Sequence, residues 1–332
     1  MFKGDGPNPT AVRARRVLAI LGALVVSTLI ASPPAAAVDG PTLTVGDTWT
    51  YSMNMSAFEG FELRGRVTLT VTARLATTVD GVSLDAFQVD AEGQGSAGGT
   101  IGTPIGTFPF AGVWELTGRQ LLETQGLKLV KGVLDLRANG TVDTDPFPTP
   151  FALILQNTTT ARILSDGWRF PHDVGDAAGV VSWVNATQDV SFEVGFLSDT
   201  NHTAGTGEVT LEYRLPSETD VTTPAGAFHA YAIEETWPDG TRNVYSYAPT
   251  VGNHVRTATY NATGGLLGNT ELVSYRYQVL EPWALLGLGL SSWTIIAGAA
   301  GAGTIAAFLF VRRRRKRLRG SAVHEPTGPA GP

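Results

Sequence analysis

Residues 282–311 contain no Asp, Glu, Lys, Arg or His, and the eight positions that follow, "RRRRKRLR", hold seven positive charges. As a helix, the 22 residues 290–311 would be about 33 Å long at about 1.5 Å per residue, enough to cross a hydrocarbon core of about 30 Å. Clustered Lys and Arg beside a span stay cytoplasmic. Arg312, Arg313, Arg314, Arg315, Lys316, Arg317 and Arg319 therefore anchor a tail, 312–332, on the inside and place the chain before the span outside. Trp283 and Trp293 lie toward the outer end, where indoles favour the interface. A basic arm for nucleic acid would instead require the apolar run to be a buried core helix.

The N-terminus has the same logic. Lys3, Arg13, Arg15 and Arg16 precede the apolar run "VLAILGALVVSTLI", and "AAA" at 35–37 offers small residues for cleavage, the pattern of a signal peptide over 1–37. An uncleaved signal anchor is the alternative. Either way residues 38–281 are external.

That external segment has 13 Lys+Arg against 28 Asp+Glu, a net charge of -15, which repels phosphate backbones and argues against nucleic acid as a partner. It has no Cys, so burial rather than disulfides must hold it in an oxidising location. Six glycosylation sequons, at Asn54, Asn139, Asn157, Asn185, Asn201 and Asn261, all fall on the outer side.

The periodicity predicts an all-β ectodomain. "RVTLTVTARL" alternates Val67, Leu69, Val71, Ala73 and Leu75 with Arg66, Thr68, Thr70, Thr72 and Arg74. Asp80-Gly81 then reads as a tight hairpin turn, and Asn139-Gly140, Asp166-Gly167 and Pro238-Asp239-Gly240 as further turns. A weak duplication is present: "GRVTL" at 65–69 returns as "GEVTL" at 207–211, Leu84, Phe87 and Val89 match Phe228, Tyr231 and Ile233, and "VGD" at 45–47 recurs at 174–176. "TDPFPTPF" at 144–151 cannot pair as a central strand. The expected organisation is two tandem antiparallel, curved, half-barrel-like units, 38–155 and 156–281, followed by one transmembrane helix, 282–311; one continuous sheet shared by both units is the alternative.

The order "VGDTWTY", alternating strands, then "TPAGAFHAYAIEETWPDGTRNVYSYAPTVGNHV" at 223–255 resembles poorly characterised secreted β-proteins related in shape to bacterial lipoprotein carriers. The resemblance implies an open half-barrel whose concave face can hold an acyl chain. It supplies no catalytic residues.

No catalytic, cofactor or metal site emerges from the residues. "GQGSAG" at 93–98 matches Gly-x-Gly-x-x-Gly, but "GTIGTP" follows instead of a helix, so a strand-connecting loop is expected. "PHDVGD" brings His172, Asp173 and Asp176 together, as a simple turn would. Trp49, Trp114, Phe228 and Tyr231 are the candidates for an apolar groove, with core packing as the alternative use of such side chains. In the span, Ala297/Gly301, Gly298/Ala302 and Ala299/Gly303 give a small-residue spacing that can drive homodimerisation. The expected function is a membrane-anchored extracellular binding protein holding an apolar or lipid-like ligand; the alternatives are a structural or adhesive envelope glycoprotein and, behind it, an extracellular hydrolase.

Overall fold

The computed structural model describes residues 38–278 except 59–60, 104–105, 125, 145–146 and 196. The expected signal peptide, span and basic tail lie outside the described residues. Among the described residues no helix is long and apolar enough to cross a membrane.

Twelve strands follow one another: β1 (Thr48–Phe58), β2 (Phe61–Val79), β3 (Val82–Thr103), β4 (Gly106–Glu123), β5 (Leu129–Val142), β6 (Thr149–Asp166), β7 (Ala177–Val194), β8 (Leu197–Thr223), β9 (Gly226–Thr236), β10 (Arg242–Ala248), β11 (Asn253–Tyr260) and β12 (Leu266–Arg276). Each pairs antiparallel with the next, and β12 pairs back onto β1, with Thr48 opposite Arg276 and Met53 opposite Thr270, so the sheet closes. Closure removes the edges that an open sheet must protect.

This overturns the expectation of two tandem half-barrels. One closed barrel is formed, because β1, from the start of the described chain, supplies its free edge to β12, from the end. Position 155/156 falls inside β6, which is laddered to β5 on one side and β7 on the other. The shared-sheet alternative is the arrangement found.

The duplication is visible in the geometry. At the start of each half Gly46 (φ 101°) and Gly175 (φ 105°) occupy the same left-handed position. Gly46 N–H donates to Val71 O and Gly175 N–H to Leu215 O, while Val71 and Leu215 return bonds to Asp47 O and Asp176 O. The ladders, however, match Leu69 (opposite Trp49) to Tyr213 (opposite Ala178), not to Leu211. "GRVTL" and "GEVTL" are thus two residues out of structural register, a slip that leaves every side chain on the same face.

Most strands bury alternate residues inward, as in β6, where Phe151, Leu153, Leu155, Asn157, Thr159 and Ala161 are buried. One apolar cluster runs through both halves, from Val38 to Leu272. The outward side carries exposed cross-strand pairs such as Arg74–Asp85 and Arg119–Asp90, each worth up to about 1 kcal/mol.

One expected turn and one expected loop are strand interior. Asp80 (φ 47°) and Gly81 (φ 80°) do form the tight β2–β3 turn, but Asn139-Gly140 lies within β5, opposite Val113 and Gly112 of β4. "GQGSAG" is not a connecting loop but the middle of β3. Its Gly93 and, on the facing strand β2, Gly65 make room: a Cβ at Gly65 would lie 2.2 Å from Gln94 O and 2.5 Å from Trp114 Cζ2, and one at Gly93 would lie 3.1 Å from Trp114 Cζ3. The indole fills that space and donates to Arg64 O at 3.2 Å.

Candidate functional site

The four residues expected to line a groove are distributed differently. Trp49 and Trp114 are core residues, 0% and 1% exposed, and Trp49 Nε1 donates to Val251 O at 2.9 Å. Tyr231 is buried, and Phe228 is partly buried with its ring 5.9 Å from Tyr275, edge to face. The structure does not gather them into one surface. Among the sequons, Asn54, Asn139 and Asn185 are exposed and Asn201 and Asn261 partly so. Asn157 is 3% exposed and faces inward, closed to modification in the folded chain.

Inward alternation on β9 places Tyr231, Ile233 and Glu235 on the interior, with Trp237 just beyond the strand. Glu235 is a carboxyl with no solvent exposure and four donors. Tyr213 Oη donates to Oε2 at 3.0 Å; Trp237 Nε1, Asn243 Nδ2 and Tyr245 Oη donate to Oε1 at 2.6, 2.8 and 3.3 Å. Thr259 supports Asn243 by donating to its Oδ1 at 2.8 Å. Burial pushes the Glu235 carboxyl up to about 7, against the opposing pull of Asn243, Trp237, Tyr213 and Tyr245. His254 stacks on Tyr245 at 4.4 Å, and burial pushes it down to about 3. Every partner of Glu235 is a donor, so this network ties β8, β9 and β10 together.

Tyr213 continues the spine. Trp168 stacks on it at 5.4 Å and on His172 at 3.8 Å, and His172 Nδ1 lies 3.2 Å from Asp176 Oδ2. Burial lowers the His172 pKa, opposed by Asp176. Beside Trp168, Lys128 Nζ donates to Trp168 O at 2.9 Å and Gly126 O at 3.1 Å and pairs with Asp166 Oδ2 at 3.1 Å. Among the described residues no three His, Asp or Glu side chains gather as a metal site would need.

A different interior area is polar without being satisfied. Asn157 of β6 stands opposite Gln188 of β7, and the neighbouring row runs Gln120, Gly132, Thr159, Ala186 and Gly205 across β4 to β8. Gln188 is 1% exposed, and neither its Oε1 nor its Nε2 has a hydrogen-bond partner. Gln120 Oε1 and Ser182 Oγ are also buried without partners. Buried amides normally find partners, and the surrounding Gly and Ala residues leave this face low.

Sequence reasoning did not find Glu235 or Gln188, although parity marks both. In "YAIEETW" Glu235 shares the alternation of Tyr231, Ile233 and Trp237; in "VVSWVNATQDV" Ser182 and Gln188 share that of Val180, Val184, Ala186 and Val190.

Comparison with known proteins adds little beyond the architecture. No family model matches the chain, and no curated protein matches it. Two solved structures are similar. One is described as a "putative exported protein with YmcC-like fold" from Bacteroides fragilis, 11% identical, covering 72% of this chain and 99% of that one, with a TM-score of 0.28. The other is a "putative lipoprotein" from Parabacteroides distasonis, 13% identical, covering 71% and 97%, with a TM-score of 0.25. Likeness at that level carries no argument about what this chain does.

Proposed function

We propose that the chain is a binding protein of the cell exterior, tethered by its C-terminal span, with its ligand site on the interior face of β6 and β7. The observation that carries this is Gln188, a buried amide with neither donor nor acceptor used, opposite Asn157 and flanked by small residues. Leaving such a group unpaired costs about 1–3 kcal/mol. A ligand with neutral donor and acceptor groups removes that cost, which is the chemistry of a hydroxyl- or amide-bearing molecule rather than a bare acyl chain. Trp49 and Trp114 could line an acyl groove only by leaving the core.

The test uses the full-length chain, purified in detergent and examined by native mass spectrometry, alone and after incubation with neutral saccharides, peptides and lipids. Binding of a hydroxyl- or amide-bearing molecule that disappears in a folded Gln188→Leu variant supports the proposal. An empty wild-type chain across that panel, together with a Gln188→Leu variant more stable than wild type, overturns it and leaves Gln188 as a hydrated core residue.

A further inference from the structure

Lys128 lies at the end of the β4–β5 connection and Asp166 at the end of β6. Their side chains are 0% and 3% exposed, with Nζ 3.1 Å from Oδ2. A second acid joins them. From the point where a Cβ of Gly126 would sit, Glu123 Oε1 is 2.7 Å away, Lys128 Nζ 2.8 Å and Asp166 Oδ2 3.0 Å, so only glycine leaves the three groups free to converge. Gly126 N–H holds Glu123 in place, donating to Oε1 at 2.6 Å. Arg169, largely exposed, donates from Nε to the same Asp166 oxygen that faces Lys128, at 3.2 Å. The other oxygen, Oδ1, is buried without a partner.

We propose that this cluster is a self-modification site, at which Lys128 Nζ and Asp166 Cγ join as an intramolecular amide. The arrangement has the three parts the reaction needs: an amine nucleophile, a carboxyl in contact with it, and a second carboxyl turned to the same point over Gly126 to carry protons. Lys128 Nζ hands one proton to the Asp166 carboxylate it contacts and then attacks Cγ; the C–N bond forms and the C=O pair moves onto one oxygen. Nζ gives up a proton to the Glu123 carboxylate, which passes it to the departing Asp166 oxygen. That C–O bond breaks, one water leaves, and Glu123 ends as it began. From the ionised pair, an ammonium and a carboxylate become one amide and one water, with no oxidant or reductant required. Burial favours the reaction twice, since it lowers the pKa of the Lys128 ammonium, opposed by Asp166, and keeps out the water that would reverse the step. In a chain without Cys, such a bond gives the covalent closure that disulfides give elsewhere, here across a loop of 38 residues.

The test is a tryptic peptide map of the purified full-length chain, which has Arg or Lys at 119, 131, 162 and 169 to cut the site into two pieces. A branched species joining residues 120–131 to 163–169, lighter by one water than the two peptides together and stable to hydroxylamine, is the expected result. Asp166→Ala should abolish it and release residues 120–128 as a normal peptide. Recovery of 120–128 and 163–169 at full mass from the wild type would overturn the proposal. So would a water loss confined to 163–169 that survives Lys128→Arg and opens with hydroxylamine, since Asp166-Gly167 can also lose water as a succinimide.

Discussion

On β3 Ala91 faces Gly118, and Gly118 faces Leu134 on β5; at the matching ladder positions of the second half Glu235 faces Asn243, and Asn243 faces Thr259. Further down, Leu122 opposite Leu129 becomes Tyr247 opposite His254, and Lys128 holds the place that Asn253 takes. The halves share the glycine turn and its three backbone bonds, yet at these rows each buries different chemistry. The first half fills its interior with Trp114 seated on glycines and keeps an ion pair at one end; the second uses a carboxyl, two phenols, an indole and an amide. Ladder geometry therefore survives an exchange of interior chemistry at these rows, because backbone bonds and face alternation set the frame while each interior needs only to be filled and hydrogen-bonded.

The greatest loss of stability follows from giving the second half the first half's chemistry. Glu235→Leu leaves Tyr213 Oη, Tyr245 Oη, Trp237 Nε1 and Asn243 Nδ2 buried without their acceptor. At about 1–3 kcal/mol for each orphaned group, the loss should reach about 5 kcal/mol, comparable with the whole stability of a marginal domain. Urea unfolding should show that loss as one transition, with tryptophan emission and far-ultraviolet circular dichroism moving together, because β6–β7 and β12–β1 join the halves. Two separated transitions would mean that the halves fold independently despite the closed ladder.

A smaller effect separates the halves where Trp114 packs on glycine. Gly65 has no room for a Cβ against Gln94 O and Trp114, whereas its counterpart in the second half, Val209, carries a full side chain within β8. Gly65→Ala should cost about 2 kcal/mol through overpacking, measured as a lower urea midpoint. Val209→Gly should cost about 1 kcal/mol through lost strand propensity. Equal small losses at both would mean that the glycine cradle does not position Trp114.

How much of this the sequence shows depends on distance along the chain. The β2–β3 hairpin, the Asp80-Gly81 turn, the Pro238-Asp239-Gly240 turn and the repeated "VGD" are local, and each carries its own residue signature. Closure is not local: Thr48 meets Arg276, and nothing in either segment announces the other. Asn139-Gly140 misleads because the glycine that permits a turn also permits close approach of two strands, which is its use opposite Gly112. Trp49 and Trp114 are aromatic on an inward face whether that face is a groove or a core, so their parity alone does not decide. Glu235 and Gln188 were legible in principle, as polar residues in apolar parity, but only the ladder shows which partners reach them.

The finest discrimination is by pH. Glu235 binds its proton more tightly folded, with a pKa raised from 4.5 to about 7. Its stabilising contribution is therefore complete below pH 4.5 and is lost as pH rises through 7, at about 1.4 kcal/mol per unit. His254, lowered from 6.5 to about 3, does the reverse: its contribution is complete above pH 6.5 and is lost as pH falls through 3. Between pH 4.5 and 6.5 the two slopes oppose and cancel, so this pair leaves wild-type stability level although each member titrates strongly. Variants uncover the terms. Stability of Glu235→Gln minus that of wild type should climb by about 1.4 kcal/mol per unit from pH 4.5 to 7 and then flatten. The same difference for His254→Gln should fall from pH 3 to 6.5. Because each is a difference against wild type, other titrating groups such as Asp47 and His172 drop out where they are unchanged. Urea unfolding at half-unit steps from pH 3 to 8 measures both curves. Parallel curves for all three proteins would mean that Glu235 and His254 titrate as they do in the unfolded chain, which is incompatible with a buried acid in the second half where the first half carries Ala91.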